Sequence, residues 1–234
     1  MIEGHFRKYY QAVCVEPLLR QKWLQSVSPT SLTIVACLCG VAASPCIAFG
    51  WIVPALTLLI LSGYLDTLDG SLARLQNRTS PFGTVSDIIS DRLVEFTTLL
   101  GLYYVDPESR ASLTLFMLGS ILLCVTSFLV VGIFTDNESE KSFHYSPGLM
   151  ERAEAFIFFS LMIILPSFFT LFALLFCLLV LTTTAIRLWE FKKHQEAVAK
   201  LACPEKSMFL DPAASATKVA GSQRRGCGDT EKLQ

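Results

Sequence analysis

The sequence contains few charged residues. Asp, Glu, Lys and Arg make up 17% of the 234 residues, whereas hydrophobic residues make up 52% and the mean hydropathy is +0.50. An ordinary soluble domain carries about 25% charged residues, so the composition excludes that class and predicts an integral membrane protein. With a net charge of −1 there is no excess of basic residues for binding phosphate backbones, and we expect no nucleic-acid partner.

CxxC pairs of cysteines are also missing. The chain has eight cysteines, and those that lie within apolar runs form no CxxC pair: Cys37, Cys39, Cys46, Cys124 and Cys177. Free cysteines are among the most buried residues in proteins. We therefore interpret these five as reduced core residues rather than as a disulfide framework.

The N-terminal residues lack an uninterrupted apolar core, so we expect no signal peptide. Between Met1 and Ser28, apolar residues alternate with charged ones, which is typical of an amphipathic helix at a membrane surface. Pro17 would break such a helix. Residues 1–30 are predicted to form an N-terminal cytoplasmic, interfacial segment.

Long apolar runs are what the sequence does contain. A spanning helix needs about 20 mostly apolar residues. Pro45 interrupts the first run, and Pro166 with Ser167 divides the longest run at a tight hairpin. The predicted fold class is an all-α integral membrane protein with six transmembrane helices and the N-terminal interfacial amphipathic helix. The predicted spans are 31–48, 51–73, 84–105, 111–134, 150–166 and 168–189.

The basic residues predict the orientation of these spans. They precede the first span and follow the last: Arg7, Lys8, Arg20, Lys22, Lys192, Lys193 and Lys200. The positive-inside rule then places both termini in the cytoplasm, which an even number of spans allows. The loop that holds Arg78 is cytoplasmic in this arrangement, and Arg78 is interpreted as a loop charge. Residues 31–190 form the membrane domain, and residues 191–234 are predicted to be a cytoplasmic, disordered tail.

Four aspartates interrupt two of the apolar segments. Asp66 and Asp69 are three residues apart, and Asp87 and Asp91 are four apart, so on helices each pair projects from one face. A carboxylate at membrane depth is costly unless it faces water, a partner or a metal. If the two faces meet across a short turn, the clustered like charges require a divalent cation, and oxygen ligands suit Mg²⁺ or Mn²⁺.

The aspartates belong to a longer pattern: Asp66-x2-Asp69-Gly70-x2-Ala73-Arg74-x8-Gly83-x3-Asp87-x3-Asp91. This pattern resembles the signature of the CDP-alcohol phosphotransferase family, membrane enzymes that move a substituted phosphate from a CDP-linked lipid to an alcohol. It matches at eight fixed positions within 26 residues. The six predicted spans and the Ser28-Pro29-x3-Thr33 stretch also resemble the family, whereas the tail is not covered.

The resemblance implies roles for the aspartates. Asp66, Asp69 and Asp87 would hold one divalent ion, Mg²⁺ or Mn²⁺. Asp66, Asp87 and Asp91 would hold a second or shared ion, and Asp91 would also be the general base. A carboxylate beside bound metal ions can accept the proton of an attacking hydroxyl.

The resemblance also implies a site for the CDP-lipid. Gly70 would let the nucleotide approach the helix backbone, and Arg74 would pair with a pyrophosphate oxygen. Ser80 would lie near the cytidine diphosphate, and Thr33 would close the nucleotide pocket. Two further motif residues would be structural: Ala73 and Gly83.

A second element bears on the alcohol acceptor. Gly148-x2-Glu151-Arg152 resembles an element of the phosphatidylinositol phosphate synthase branch, in which the arginine helps to bind the phosphate of the acceptor. Arg187 would supply a second cation, since guanidinium groups bind phosphate through paired hydrogen bonds. The stretch Ser127–Phe134 lacks the basic residue that this branch places there. Inositol 1-phosphate, glycerol 3-phosphate, as in phosphatidylglycerophosphate synthases, and free inositol therefore all stay open as acceptors.

The resemblance thus implies transfer of a phosphatidyl group from CDP-diacylglycerol to a polyol or polyol phosphate with release of CMP. It further implies a homodimer, and the orientation predicted from the basic residues makes the active site face the cytoplasm. The alternative from another functional class is an ion- or proton-coupled transporter that uses intramembrane aspartates. Against transport, the sequence has no repeated hydropathy halves, and the predicted position of the aspartates is the cytoplasmic edge of the spans.

Overall fold

The computed structural model describes residues 15–19, 21, 24, 27–134 and 152–202, and its regular secondary structure is entirely helical. Two of the long helices meet at a 3₁₀ turn, Pro166–Phe168. In chain order the helices are α1 (Glu16–Leu19), α2 (Pro29–Ala48), α3 (Ile52–Leu75), α4 (Pro81–Val105), α5 (Pro107–Phe134), α6 (Arg152–Ile164) and α7 (Phe169–Ala202).

Four stretches of the described residues are long and apolar enough to cross a membrane: α2, α3, α5 and residues 166–196. The chain is therefore an all-helical membrane protein, as the composition predicts. Helix α4 has 25 residues but carries several charged side chains, and α6 has 13 residues. Because these two helices do not meet the same criterion, the number of six crossings stays a prediction.

Helix α2 corrects one detail of the sequence reading. The predicted interruption at Pro45 is wrong, because α2 continues without a break from Pro29 to Ala48. Proline removes one backbone hydrogen bond from a helix, and here the loss falls in the last turn. The chain reverses just beyond it at Gly50, whose φ of +72° is in the left-handed region that glycine readily adopts.

The N-terminal segment is described only in part, and most of the predicted amphipathic helix lies outside the described residues. Helix α1 has four residues, with Pro17 in its first turn, where proline is tolerated. Val15 and Leu24 are 1% and 2% exposed and pack against Leu68 and Leu72 of α3. This part of the segment therefore contacts the helix that carries Asp66 and Asp69.

Small residues bring α2, α3 and α4 close together. A Cβ atom on Gly40 would lie 2.5 Å from a methyl group of Val94 and 2.8 Å from Ser62 Oγ. A Cβ atom on Gly101 would lie 2.7 Å from the carbonyl oxygen of Ser44. Glycine permits such close approach of helix backbones in membranes. The packing fixes α4, and hence Asp87 and Asp91, against α2, which also packs against α3.

At the end of the bundle opposite the aspartates, Arg110 of α5 contacts α4, the 3₁₀ turn and α7. This residue is 6% exposed, and its guanidinium donates to the carbonyl oxygens of Leu102 (3.2 Å) and Pro166 (3.3 Å). The guanidinium also lies 4.3 Å from the ring centroid of Phe169. The predicted division of the last apolar run is confirmed, because the 3₁₀ turn at Pro166 separates α6 from α7.

The chain divides into two compact units, Met1–Leu188 and Trp189–Gln234. In the second unit the helix continues to Ala202, so the predicted disordered tail does not begin at residue 191. The sequence from Phe191 to Ala202 is rich in Lys, Glu, Gln and Ala, which favour helices, and Lys192 pairs with Glu196 at 3.9 Å. Residues 203–234 lie outside the described residues. The five cysteines of the apolar runs are free, as predicted, and half-buried.

Candidate active site

The turn between α3 and α4 brings the aspartates together. Helix α3 ends at Leu75, and Asn77, two residues later, has a φ of 51° in the left-handed region. Arg78 N–H then donates to the carbonyl oxygen of Ala73 at 2.9 Å, a hydrogen bond that is common at such helix ends. Ser80 then begins α4, because its hydroxyl oxygen accepts a hydrogen bond from Gly83 N–H at 3.1 Å. This short connection brings the first turns of α4 back to the last turns of α3, where Asp66, Asp69 and Asp87 converge.

Three of the four aspartates form one group. One carboxylate oxygen each from Asp66, Asp69 and Asp87 lies within 4.8 Å of the other two. Asp69 is 5% exposed, and its Oδ2 atom, like Oδ1 of Asp87, is buried without a hydrogen-bond partner in the described structure. Buried acceptor atoms normally have a partner, and three converging carboxylates suit a hard divalent cation. The three residues therefore fit a metal site.

A cavity of about 410 Å³ opens beside this group. Asp69 and Asp87 line it, and so does every residue that the sequence assigned to the CDP-lipid or to the structure of the motif: Thr33, Gly70, Ala73, Arg74, Ser80 and Gly83. No heavy atom lies within 4 Å of the position that a Cβ atom on Gly70 would occupy. Thr33 of α2 thus lines the same cavity as the motif residues of α3 and α4.

The polar groups of this cavity are suited to an anionic ligand. Arg74 lines it while donating to Ser71 Oγ at 3.3 Å. Arg78, which the sequence analysis treats only as a loop charge, lines the same cavity. Ser28, from the stretch that resembles the family, also lines the cavity, together with hydroxyl groups that the sequence analysis missed: Thr30, Thr79, Thr84 and Ser86. Two guanidinium groups and several hydroxyls offer the donors that phosphate oxygens require.

Arg152, the first residue of α6, contacts two of the aspartates. Its guanidinium forms an ion pair with Asp66, and its Nη2 atom lies 2.7 Å from Oδ1 of Asp91. Asp91 thus pairs with Arg152 and lies outside the group of three carboxylates. Asp66 belongs to that group and also pairs with Arg152. The arginine therefore lies beside the metal-binding candidates.

A second cavity, of about 210 Å³, is lined in part by Arg152. Asp91, Arg152 and Arg187 line it, so the two arginines that the sequence assigns to the acceptor share one space with the predicted base. Arg187 Nη1 donates to the carbonyl oxygen of Cys124 at 3.0 Å, while Nε is buried without a hydrogen-bond partner in the described structure. A guanidinium held in this way retains a donor for a ligand.

The sequence analysis missed two charged residues of the second cavity. Glu95 and Arg92 both line it, and they form an ion pair of 2.6 Å. Glu95 is one helical turn beyond Asp91, so the spacing of four residues that links Asp87 to Asp91 would also have revealed Glu95.

Comparisons with known proteins identify the family of the chain. The family model for CDP-alcohol phosphatidyltransferases matches residues 26–186, which include all the residues that line the larger cavity and all those that line the smaller one except Arg187. The chain is 34% identical over 186 residues to the inner membrane protein YnjF of Escherichia coli (strain K12), covering 75% of this chain and 90% of that protein.

Two further relatives are named as synthases. An archaetidylinositol phosphate synthase of Methanothermobacter thermautotrophicus is 30% identical over 126 residues, covering 54% of this chain and 60% of that protein. A phosphatidylinositol phosphate synthase of Corynebacterium glutamicum is 28% identical over 165 residues, covering 67% and 71% respectively.

Proposed function

Because the chain belongs to the CDP-alcohol phosphatidyltransferase family, whose members act in phospholipid synthesis, we propose that it transfers a phosphatidyl group from CDP-diacylglycerol to a polyol phosphate and releases CMP. The observation that carries this proposal is that Asp69 and Asp87 of the three-carboxylate group line a cavity that suits a nucleotide, while Arg152, which pairs with Asp66 of that group, lines with Asp91 a smaller cavity that suits the acceptor.

Asp66, Asp69 and Asp87 would hold a divalent ion, Mg²⁺ or Mn²⁺. Asp91, one turn beyond Asp87, would complete a second ion site together with Asp66 and Asp87. Such ions neutralise pyrophosphate charge and make CMP a better leaving group. Repulsion among three close carboxylates supports this assignment, because it falls when a cation binds between them.

The larger cavity would hold the CDP moiety of the donor. Arg74 would pair with a pyrophosphate oxygen, and the open space at Gly70 would let the nucleotide contact the backbone of α3. Thr33, from α2, would close the pocket on one side and Ser80 on the other. Both line the cavity, which supports these roles.

Asp91 would act as the general base. Its carboxylate faces the smaller cavity, where Arg152 and Arg187 would bind the phosphate of the acceptor. The reacting hydroxyl would lie beside Asp91, lose its proton to that carboxylate and attack the β-phosphorus of CDP-diacylglycerol. The bond from that phosphorus to the oxygen bridging to CMP then breaks, and CMP leaves. Positioning of this kind accounts for most of the rate in phosphoryl transfer.

Arg152 and Arg187, together at the smaller cavity, favour a phosphorylated acceptor over a neutral one. Inositol 1-phosphate is the acceptor we propose, with glycerol 3-phosphate and free inositol as the competitors. The names of two relatives support a phosphorylated inositol. The chain would act as a homodimer with six crossings, both termini in the cytoplasm and the site open to the cytoplasm, where nucleotides are abundant.

The test is CMP release by the purified protein with CDP-diacylglycerol and Mg²⁺, in the presence of inositol 1-phosphate, glycerol 3-phosphate, free inositol or serine. We expect release to depend on inositol 1-phosphate and to fall by about 10²- to 10⁴-fold in Asp91→Asn, the usual effect of losing a general base. CMP release that needs no acceptor, or cation flux without CMP release, would contradict the proposal.

A further inference from the structure

Glu95 is a buried carboxylate in a cavity where cations predominate. The residue is 6% exposed, and it lines the 210 Å³ cavity together with Arg152 and Arg187. Its Oε2 atom lies 2.6 Å from Nη1 of Arg92, on the same helix. Neither the metal site nor the general base uses this carboxylate.

Burying an ionised carboxylate costs several kcal/mol unless a partner compensates for it. Arg92 supplies such a partner, but its side chain is 35% exposed, so the pair lies near the surface on the arginine side. An ion pair between neighbouring turns of a helix does not require the acid to line a ligand cavity. The position of Glu95 therefore needs an explanation other than its pairing with Arg92.

The helix places Glu95 next to the reacting position. Asp91 and Glu95 are four residues apart on α4 and project from the same face, so both carboxylates line the same small cavity. An acceptor whose reacting hydroxyl lies at Asp91 and whose phosphate lies at the arginines would bring its remaining hydroxyls near Glu95. A carboxylate is a strong acceptor of hydrogen bonds from such hydroxyls.

We propose that Glu95 is a specificity-determining residue of the acceptor cavity, and that its carboxylate accepts hydrogen bonds from acceptor hydroxyl groups other than the one that reacts. This inference rests on the proposed function. It narrows the acceptor to the phosphate of a polyhydroxylated ring rather than of a short-chain polyol. Inositol 1-phosphate keeps several hydroxyls beyond the reacting one, whereas glycerol 3-phosphate keeps a single one. The negative charge would also repel an acceptor phosphate bound in the reverse orientation.

The experiment compares the purified full-length wild type with Glu95→Gln and Glu95→Asp. Initial rates of CMP release are measured with CDP-diacylglycerol and either inositol 1-phosphate or glycerol 3-phosphate. Hydrogen bonds to charged groups are worth about 1.5–3 kcal/mol, so Glu95→Gln should raise the KM of inositol 1-phosphate by about 10- to 100-fold. The KM of CDP-diacylglycerol should stay within about twofold of the wild-type value, and the preference for inositol 1-phosphate should fall. Glu95→Asp keeps the charge and should show a smaller loss.

Arg92→Gln is the matched control, because it removes the partner of Glu95 and leaves the carboxylate in the cavity. If the pair is merely structural, Arg92→Gln and Glu95→Gln will change both substrate KM values and the thermal stability alike, which would overturn the inference. Calorimetric titration of each variant with inositol 1-phosphate gives a readout that does not depend on turnover. Weaker binding in Glu95→Gln alone supports the inference.

Measurements on the wild-type protein distinguish failure of the proposed function from failure of this inference alone. Absence of acceptor-dependent CMP release in the wild type would overturn the proposed function and this inference with it. A wild type that is active, together with a Glu95→Gln variant whose acceptor preference is unchanged, would overturn this inference alone.

Discussion

Arg152 contacts two carboxylates to which different tasks are proposed. It pairs with Asp66, a proposed metal ligand, and with Asp91, the proposed base. Arg187 lines the same cavity but lies against the carbonyl oxygen of Cys124, and no ion pair to an aspartate is recorded for it in the described structure. Both arginines are proposed to bind the acceptor phosphate, but Arg152 pairs with two aspartates whereas Arg187 donates to a backbone carbonyl oxygen.

This difference predicts two kinetic phenotypes. Arg187→Gln should raise the KM of the acceptor by about 10-fold or more, because one charged hydrogen bond is lost, and should leave kcat and the KM of CDP-diacylglycerol nearly unchanged. Arg152→Ala should raise the acceptor KM as well and also lower kcat, because Asp66 and Asp91 lose their shared partner. Steady-state kinetics with each substrate varied in turn measures this. Equal effects of either substitution on both KM values would contradict an acceptor pocket.

The three-carboxylate group predicts the effect of removing one ligand. Asp87→Asn should weaken Mn²⁺ binding and lower CMP release by more than about 100-fold, because even the loss of a neighbour of a metal ligand costs about 10- to 100-fold. The increase in melting temperature that Mn²⁺ gives the wild type should disappear in the variant, because a ligand stabilises only the state that binds it.

Asp106 offers a matched control for Asp87→Asn. It is an exposed aspartate at the start of α5, and hydrogen bonds from Ser109 to its carboxylate lower the pKa of that group. Asp106→Asn removes a charge by the same chemical change, and asparagine remains a good helix cap. It should retain metal binding and activity. If Asp87→Asn kept the same Mn²⁺ affinity as Asp106→Asn, the metal assignment would be wrong.

At the scale of the helices, the close contact of α2 with α4 depends on glycine. A Cβ atom on Gly101 would lie 2.7 Å from a backbone oxygen of α2 and 3.1 Å from Cβ of Ile47, neither of which can move without shifting a helix. Gly101→Ala should therefore lower the melting temperature measured by fluorescence-detected gel filtration. Overpacking a membrane or soluble core costs about 1–3 kcal/mol.

Gly119 of α5 serves as the control for this substitution. No heavy atom lies within 4 Å of the position of its Cβ atom. Alanine also favours a helix more than glycine does, so Gly119→Ala should leave the melting temperature unchanged or raise it slightly. A similar loss of stability in both variants would show that glycine has no special role at the contact of α2 and α4.

The sequence predicted the helical elements because their signals are local. Pro166 ends one helix and begins the next turn, and the spacing of Asp66 and Asp69 fixes a shared face whatever the helix packs against. Pro45 misled the prediction, because the cost of a proline depends on its place in the helix. The helix beyond residue 190 was missed because a polar composition suits an exposed helix as well as a disordered segment.

The sequence predicted the residues of the candidate site that belong to the motif. The six donor and motif residues share a cavity as expected, whereas the roles of Arg78 and Glu95 depend on which helices pack together. Glu95 becomes a cavity residue only because α5, α6 and α7 contribute Cys124, Arg152 and Arg187 to the same space. Contacts of this kind join residues that are distant in sequence, whereas the spacing along α4 shows only that Glu95 shares a face with Asp91.

At the scale of the whole molecule, the orientation of the site depends on whether α4 crosses the membrane. Helix α4 has 25 residues, about the length needed for a tilted crossing. Its charged residues, Asp87 to Glu95, lie in the half that forms the two cavities, and the half from Phe96 to Val105 is apolar. Charges that face a polar cavity are compatible with a spanning helix. We therefore expect α4 to cross and to carry its C-terminal end to the side opposite the active site.

Cysteine labelling in intact cells tests this expectation. In a variant whose eight native cysteines are replaced, one cysteine is introduced as Leu75→Cys, before the turn from α3 to α4, or as Glu108→Cys, after α4. Both positions are exposed. A membrane-impermeant maleimide should label Glu108→Cys in intact cells and should label Leu75→Cys only after the membrane is permeabilised, because a crossing by α4 puts the two residues on opposite sides. Labelling of both positions under the same condition would mean that α4 does not cross, and the predicted six spans with a cytoplasmic site would then have to be abandoned.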